Sequence, residues 1–387
     1  MTWKVAMKHQ HTDTSELHFG YFFPSGKTNF LYSDEAARTR PDMNKKNLLA
    51  LAQAAEGVGF DSLFIADNWS GHQRAAEAGG HQAPAYHAPL LAMALFAATE
   101  HIGVVSTFHT THHKPAHVAR MGATLDAFSE GRWGWNVVTG FSAAEAALFG
   151  EDFVEHDERY RMAGEFVEVV TSLWSEKESI DFQGAYYKAA GRIKLPRPAQ
   201  QPRPLLVSAG ASPAGTAFAS QYCDQLVAMG NTPELVAQIG ERLTGLSSQT
   251  QRSVGLCPFS MALIRDGNGE AEEVFDGLLK SLNVEATAEI AADVLGSIES
   301  SRAMYEKMGP EEATKAFGGA GSMLKFIGTP ESVAEQLISL KSTTGATNLL
   351  INFPLWSPDE LKSFSPVLDI LREAGIWSPP EQRNHSW

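Results

Sequence analysis

The chain has 387 residues, 43% hydrophobic and 20% charged, with a formal net charge of -14. That is enough material for a large core, and too acidic for a nucleic-acid or anionic-membrane partner, which calls for clustered Lys and Arg. Cys223 and Cys257 have neither metal nor redox spacing, so a reducing compartment is expected. With no basic-then-apolar leader and no apolar run of about 18 residues, the expectation is a cytoplasmic protein.

Met1 to Glu16 is polar and reads as an arm or loop. His18 to Phe23 (HFGYFF) is a first strand, stopped by Pro24 and Gly26. From Met43 to Val58, Leu48, Leu51, Ala52 and Ala55 form one helical stripe and Gly59 ends it. Asp61 to Ala66 is a second strand, running out into Asp67, Asn68 and Trp69. A connection rich in Gly, His and Ala, Ser70 to His87, leads to a helix from Ala88 to Thr99. Ile102 to Phe108 is a third strand, and a loop and helix after it return to Gly131.

Trp133 to Thr139 is too apolar and β-branched for a surface loop and too short for a globular helix, so it is a buried fourth strand. It leaves polar: Asn136 and Thr139 stand at its C-terminal end and Gly140 breaks it. Tyr160, Ala163, Phe166, Val167, Val170, Leu173 and Trp174 then recur at three and four residues, a helix with one apolar stripe. Residues 176–203 read as an insertion carrying a small hairpin, placed before a fifth strand at Pro204 to Ser208. AGASPAG, Ala209 to Gly215, follows and opens a helix. Gln225 to Met229, Val254 to Ile264 and Ala346 to Phe353 are the sixth, seventh and eighth strands, and Pro358 to Ala374 the last helix. Residues 265–345 are helical by pattern, broken by FGGAGS, and a connection that long suits a functional excursion or lid. Eight strand-helix units in one domain predict a TIM barrel, whose chemistry sits at the strand C-termini.

Side chains at those ends have two readings each. The backbone N–H groups and Ser212 hydroxyl of AGASPAG suit a phosphate, or Ser212 simply caps a helix. Asn136 and Thr139 are functional or satisfy loop backbone, and Asp67 and Thr110 are site residues or caps. His9 with His11, and His113 with His117, raise metal ligation and with it a metal-dependent barrel hydrolase, but loop or surface histidines explain them better. No G-x-S-x-G, P-loop or G-x-G-x-x-G stands at a strand-helix junction. Aromatic residues crowd the strand ends, and Phe22, Trp69 and Phe108 among them would suit a flat ring or apolar substrate.

ARMGATLDAFSEGRWGWNVVTG, EHDERYRMAGEFVEVVTSLW, AGASPAGTAFA and FIGTPESVAEQL together resemble the bacterial-luciferase-like flavin monooxygenases. The similarity is strongest to the branch with the dimethylsulfone, alkanesulfonate, pyrimidine, nitrilotriacetate and long-chain-alkane enzymes. The resemblance implies a TIM barrel that uses reduced FMN from a separate NAD(P)H-dependent flavin reductase, with O2 as co-substrate and a small organic molecule as substrate. A homodimer or homotetramer is implied too. It matches Ala66 and Asp67 to residues beside the flavin ring, and Asn136, Val138 and Thr139 to its edge and ribityl chain. Tyr160 matches a flavin-contacting tyrosine, and Gly210, Ala211 and Ser212 the phosphate turn. Thr110 and Asn136 match the pair that brackets oxygen in some members, while His112 and His113 are the expected substrate contacts peculiar to this chain. Asp266 to Ser322 would close as a lid. A sister branch of the same fold uses the deazaflavin F420, which keeps an F420-dependent oxidoreductase as the alternative.

Overall fold

The computed structural model describes residues 16–24, 26–27, 30–175, 179–297 and 307–383. His9 and His11 lie outside these residues, as do 176–178 of the insertion and 298–306 of the excursion.

Among the described residues eleven strands form: β1 (His18–Phe23), β2 (Ser62–Ile65), β3 (Gly103–His109), β4 (Trp133–Val138), β5 (Ile180–Gln183), β6 (Lys188–Gly191), β7 (Leu205–Ser208), β8 (Gln225–Ala228), β9 (Gly255–Ile264), β10 (Leu324–Gly328) and β11 (Asn348–Asn352). Eight of them close a parallel barrel in the order β1-β2-β3-β4-β7-β8-β9-β11, β11 returning to β1. This is a TIM barrel. The hairpin β5–β6 is antiparallel and stands apart from it. The excursion departs from its all-helical pattern, because β10 pairs in parallel with the second half of β9, Leu324 opposite Ser260 to Gly328 opposite Ile264. Its length explains this: β9 outruns its barrel partners and offers free backbone that another strand satisfies.

Strand pleat divides the core in two. Phe22, Phe64, Val105, Val207, Val227, Phe259 and Leu350 fill the barrel interior. Phe19, Tyr21, Phe23, Val104, Phe108, Trp133, Trp135 and Val137 point instead to the helix layer. There they meet α1 (Lys45–Val58), α2 (Ala88–Phe96), α3 (Pro115–Phe128) and α4 (His156–Trp174). Close approach of α3 to β4 depends on Gly122, where a Cβ would lie 2.5 Å from the Trp133 ring. Trp174 closes the same layer through its indole N–H to the Ala119 carbonyl, 2.8 Å.

Helix α4 begins where the sequence changes from apolar strand to acidic turn. Glu155 caps it, its carboxylate accepting from the N–H groups of Asp157 and Glu158, both 3.0 Å. Asp61, at the opposite end of the barrel, accepts from Phe19 N–H at 2.7 Å and pairs with Arg383. Burial alone would raise its pKa, but His18 and Arg383 hold the carboxyl below its usual range. That end of the barrel is stitched for stability, leaving the C-terminal rim for chemistry.

Candidate active site

Asn136 is buried near the C-terminal end of β4 and opposite Thr107 of β3 in the ladder. Both share the parity of Val105, so both face the barrel interior. The Asn136 amide Nδ2 donates to Thr107 Oγ1 at 2.8 Å, and Thr107 donates on to the Ile65 carbonyl at 2.9 Å. Asn136 Oδ1 is buried with no hydrogen-bond partner. An orphan acceptor of this kind costs about 1 to 3 kcal/mol unless a ligand or water meets it. Thr110 takes no part: its hydroxyl reaches the Val138 carbonyl at 3.4 Å, as a loop-satisfying threonine does. The threonine hydrogen-bonded to Asn136 is Thr107, which the expected pair of Thr110 and Asn136 did not include. Gly140, at φ 69°, then turns the chain out of the strand where other residues are strained.

The second cluster lies at the end of β7. Ser212 caps α5 (Pro213–Tyr222), accepting from Gly215 N–H at 3.1 Å, so the capping reading of this serine holds. Its surroundings exceed a cap. A Cβ at Gly210 would fall on the Tyr160 hydroxyl, and one at Gly215 on the Gly210 carbonyl oxygen. Burial pushes the pKa of the Tyr160 hydroxyl up, against the opposing pull of Ser212 and Thr139 beside it, and keeps the group neutral. Thr139, Tyr160, Gly210, Ala211 and Ser212 thus meet around one helix N-terminus, a geometry suited to an anion. His156, absent from the sequence reading, sits 3.4 Å from Ser212 Oγ through Nε2. The signal was there: it precedes Tyr160 by four residues on one helix face.

The rim beyond β2 is a polar and aromatic network. Asp67 Oδ2 accepts from Ala88 N–H at 2.8 Å and pairs with His87 Nδ1 at 2.7 Å, so its carboxylate anchors the start of α2. Ala66 packs at the edge of the interior core. Trp69 is held twice, its backbone N–H to Glu145 at 2.7 Å and its indole to His109 Nδ1 at 3.3 Å. Sequence reasoning missed Glu145, fully buried, whose other oxygen lies 3.8 Å from His112 Nε2. His112 also meets Glu151 at 3.3 Å and stacks on Phe149 at 4.3 Å. His113 bonds the His109 carbonyl at 2.9 Å and lies edge-on to Phe108. Phe22 is an interior residue between Phe64 and Phe259. Phe108 is not a pocket wall: strand alternation turns it into the helix layer against Trp133, where it is fully buried. Among the described residues no three His, Cys, Asp or Glu side chains converge as metal ligands do.

Burial of His109 pushes its pKa down to about 4, against about 6.5 when unfolded. The unfolded chain then binds the proton more readily, so stability is lost as pH falls from 6.5 through 4. At pH 4.5 the loss is on the order of 2 to 3 kcal/mol. His109→Leu should flatten this part of the denaturant-midpoint curve between pH 7.5 and 4.5; an unchanged slope would refute the assignment.

One helix of the excursion, α6 (Glu270–Lys280), leads into another, α7 (Val284–Ser297), which reaches the rim. There Asp293 meets His72 and Ser142, both at 3.3 Å, and Glu289 accepts from Ala75 N–H at 2.9 Å. The Asp293 hydrogen bond raises the His72 pKa, strengthening the tie. The described excursion is thus joined to the loops after β2 and β4.

A parallel barrel with polar groups at its strand C-termini and a glycine-rich helix start beside them is the layout of a barrel enzyme that binds a phosphorylated ligand. Residues 17–347 match the luciferase-like monooxygenase family, and the chain belongs to it. It is 27% identical over 364 residues to the FMNH(2)-dependent dimethylsulfone monooxygenase of Pseudomonas putida, covering 92% of this chain and 96% of the relative. Pyrimidine monooxygenase RutA of Stutzerimonas stutzeri is 28% identical over 343 residues, 86% of this chain and 91% of the relative. Among solved structures, riboflavin lyase (RcaE) with modified FMN and substrate riboflavin superposes with a TM-score of 0.86 at 25% identity, covering 94% and 93% of the two chains. The protein is an oxidoreductase of the monooxygenase kind.

Proposed function

We propose that the protein is an FMNH2-dependent, two-component monooxygenase that uses O2 to oxygenate a small organic substrate and cleave a C–S, C–N or C–halogen bond. Relatives named for dimethylsulfone and pyrimidine support the first two bond classes. The observation that carries the reading is the buried Asn136 amide, tied to Thr107 at one end and with a free acceptor at the other.

The residues fit the cofactor at two points. The orphan Asn136 Oδ1 suits a ring N–H, and the Gly210–Gly215 cradle, too tight for a side chain, suits a phosphate. Ala66 and Asp67 on one side, and Asn136, Val138 and Thr139 on the other, would flank the ring and ribityl chain. Tyr160, Gly210, Ala211 and Ser212 would hold the phosphate. Bound there in reduced form, FMN supplies the two electrons with which O2 gives one oxygen atom to the substrate and the other to water. Thr107 would fix the Asn136 amide, whose remaining polar groups would orient the reacting oxygen. Trp69, set by Glu145 and His109, is the wall of the substrate pocket. The described part of the Asp266 to Ser322 segment, tied to the rim by Asp293 and Glu289, would exclude water as a lid.

Electrons would come from a separate NAD(P)H-dependent flavin reductase, a reading supported by the FMNH(2)-dependent relative. The proposed oligomer is a homodimer or homotetramer; Leu90 on α2 and Met121 and Phe128 on α3 are exposed apolar side chains that a second copy could cover. A monomer mass in light scattering would contradict that.

The function is tested by oxygen uptake with a flavin reductase and NADH across sulfur, amide and haloaromatic compounds. Substrate-dependent uptake with an oxygenated product supports it; uptake equal to free flavin oxidation throughout counts against it. Ser212→Asp should weaken FMN binding about tenfold or more by charge repulsion and spare riboflavin. Unaltered FMN affinity would remove the phosphate turn.

A further inference from the structure

We infer that Asn352 sets the substrate preference of the site: its amide N–H holds an uncharged acceptor oxygen, sulfonyl or carbonyl, and so favours neutral compounds over the matching sulfonates and carboxylates. This rests on the monooxygenase reading above. Asn352 is the last residue of β11 and shares the parity of Leu350, so its side chain faces the barrel interior, where it is 4% exposed. Its Nδ2 is buried with no hydrogen-bond partner. The fold has no use for an amide at this point, because backbone pairing to β1 and β9 holds β11. An orphan donor costs stability that an apolar side chain of similar shape would save.

The surroundings give that donor a role. In the barrel order β11 stands four strands from β4, so Asn352 and the orphan acceptor of Asn136 face each other across the interior. With the flavin edge against Asn136, the arc from β7 round to β1 is left for the substrate. Val207, Val227, Met261 and Phe22 make the interior of that arc apolar, and Met261 is the ladder partner of Asn352. Phe30 and Leu355 pack on this core but are partly buried, which marks where the interior opens. Phe30 is held there at φ 60°, strained for a bulky residue, its ring 4.9 Å from Phe259. A single donor in an apolar wall fixes the orientation of what binds. Its charge environment fixes the class. Arg40, buried beside the end of β11, is spent on backbone, Nε to the Pro354 carbonyl at 2.7 Å and Nη1 to the Lys27 carbonyl at 2.9 Å. Burial keeps His109 neutral at pH 7. The rim carries the carboxylates of Asp67 and Glu145. An anionic substrate therefore meets like charge and an uncharged donor, whereas a sulfonyl or carbonyl oxygen satisfies the Asn352 N–H without burying a charge.

The test begins with oxygen uptake by the full-length protein, supplied with reduced FMN, on matched pairs: dimethyl sulfone with methanesulfonate, uracil with orotate, and benzamide with benzoate. The neutral member of the pair turned over is expected to exceed its anion about tenfold or more in kcat/KM. For that compound, Asn352→Leu and Asn352→Ala should each raise KM about tenfold and keep kcat within about threefold. Calorimetric titration of the same compound into the protein bound to oxidised FMN should show a matching rise in Kd, with the FMN Kd held within about twofold as the control for folding. Preference for an anion, or an unchanged KM and Kd in both variants, overturns the role of Asn352 and leaves the monooxygenase reading standing. A parallel loss of FMN affinity in both variants makes Asn352 a structural residue and overturns the role as well. Uptake equal to free flavin oxidation with every compound overturns the monooxygenase reading, and the role of Asn352 with it.

Discussion

Asn136→Ala is expected to lower substrate-dependent oxygen consumption about a hundredfold and to leave the FMN Kd within about threefold. The argument is local. Asn136 is buried, its amide Nδ2 is fixed by Thr107 at 2.8 Å, and its oxygen has no partner in the protein. Truncation removes a preorganised dipole at the barrel mouth and frees the Thr107 hydroxyl, which still has the Ile65 carbonyl. The fold keeps its ladder, because the β3–β4 pairing is made by backbone. Thr107→Val should share the kinetic defect, whereas Thr110→Val should not, since the Thr110 hydroxyl serves only the Val138 carbonyl. Full oxygen uptake in Asn136→Ala, measured with a saturating supply of reduced FMN, would remove the oxygen-site role from this residue.

The second large effect is expected of Gly210→Ala: a rise of about a hundredfold or more in the FMN Kd. A methyl at this position occupies the place of the Tyr160 hydroxyl, and the Gly215 backbone lies 3.4 Å away on the other side. One of the two must move, and either movement spoils the convergence of donors on the anion. Tyr160→Phe in the same chain vacates the clash and should restore part of the affinity, although the lost hydroxyl keeps it below wild type. Gly210→Ala with wild-type FMN affinity would mean that the phosphate lies elsewhere. Far-ultraviolet circular dichroism checks that the barrel persists, because Gly210 lies beyond the end of β7 and outside the ladder.

The barrel was legible because parallel strands are buried on both faces and so read as unbroken apolar runs. VVSTF and GWNVV are such runs, and their polar exits into His109 and Thr139 mark the functional end. AGASPAG was legible as a helix start for the same local reason: Ser212 followed by Pro213 is a capping sequence. What was hidden depends on register. Thr107 and Thr110 differ by three residues, and only the pairing of Thr107 with Asn136 tells which one faces the amide. The same parity sends Phe108 to the helix layer although it sits at a strand end. β10 was hidden because LKFIG is short and carries a lysine, and it becomes a strand only through the long β9 beside it. The ties of Trp69 to Glu145, Asp67 to His87 and Ser212 to His156 span 76, 20 and 56 residues. Nothing local announces contacts that the closed barrel creates.

The most direct measurement is a crystal structure of the protein soaked with FMN. The account predicts the phosphate within hydrogen-bond reach of Ser212, Tyr160 and the Gly210 turn, and the ring edge against Asn136 at the mouth of β4. Flavin density elsewhere, or a ring turned away from Asn136 with its phosphate in solvent, would contradict it.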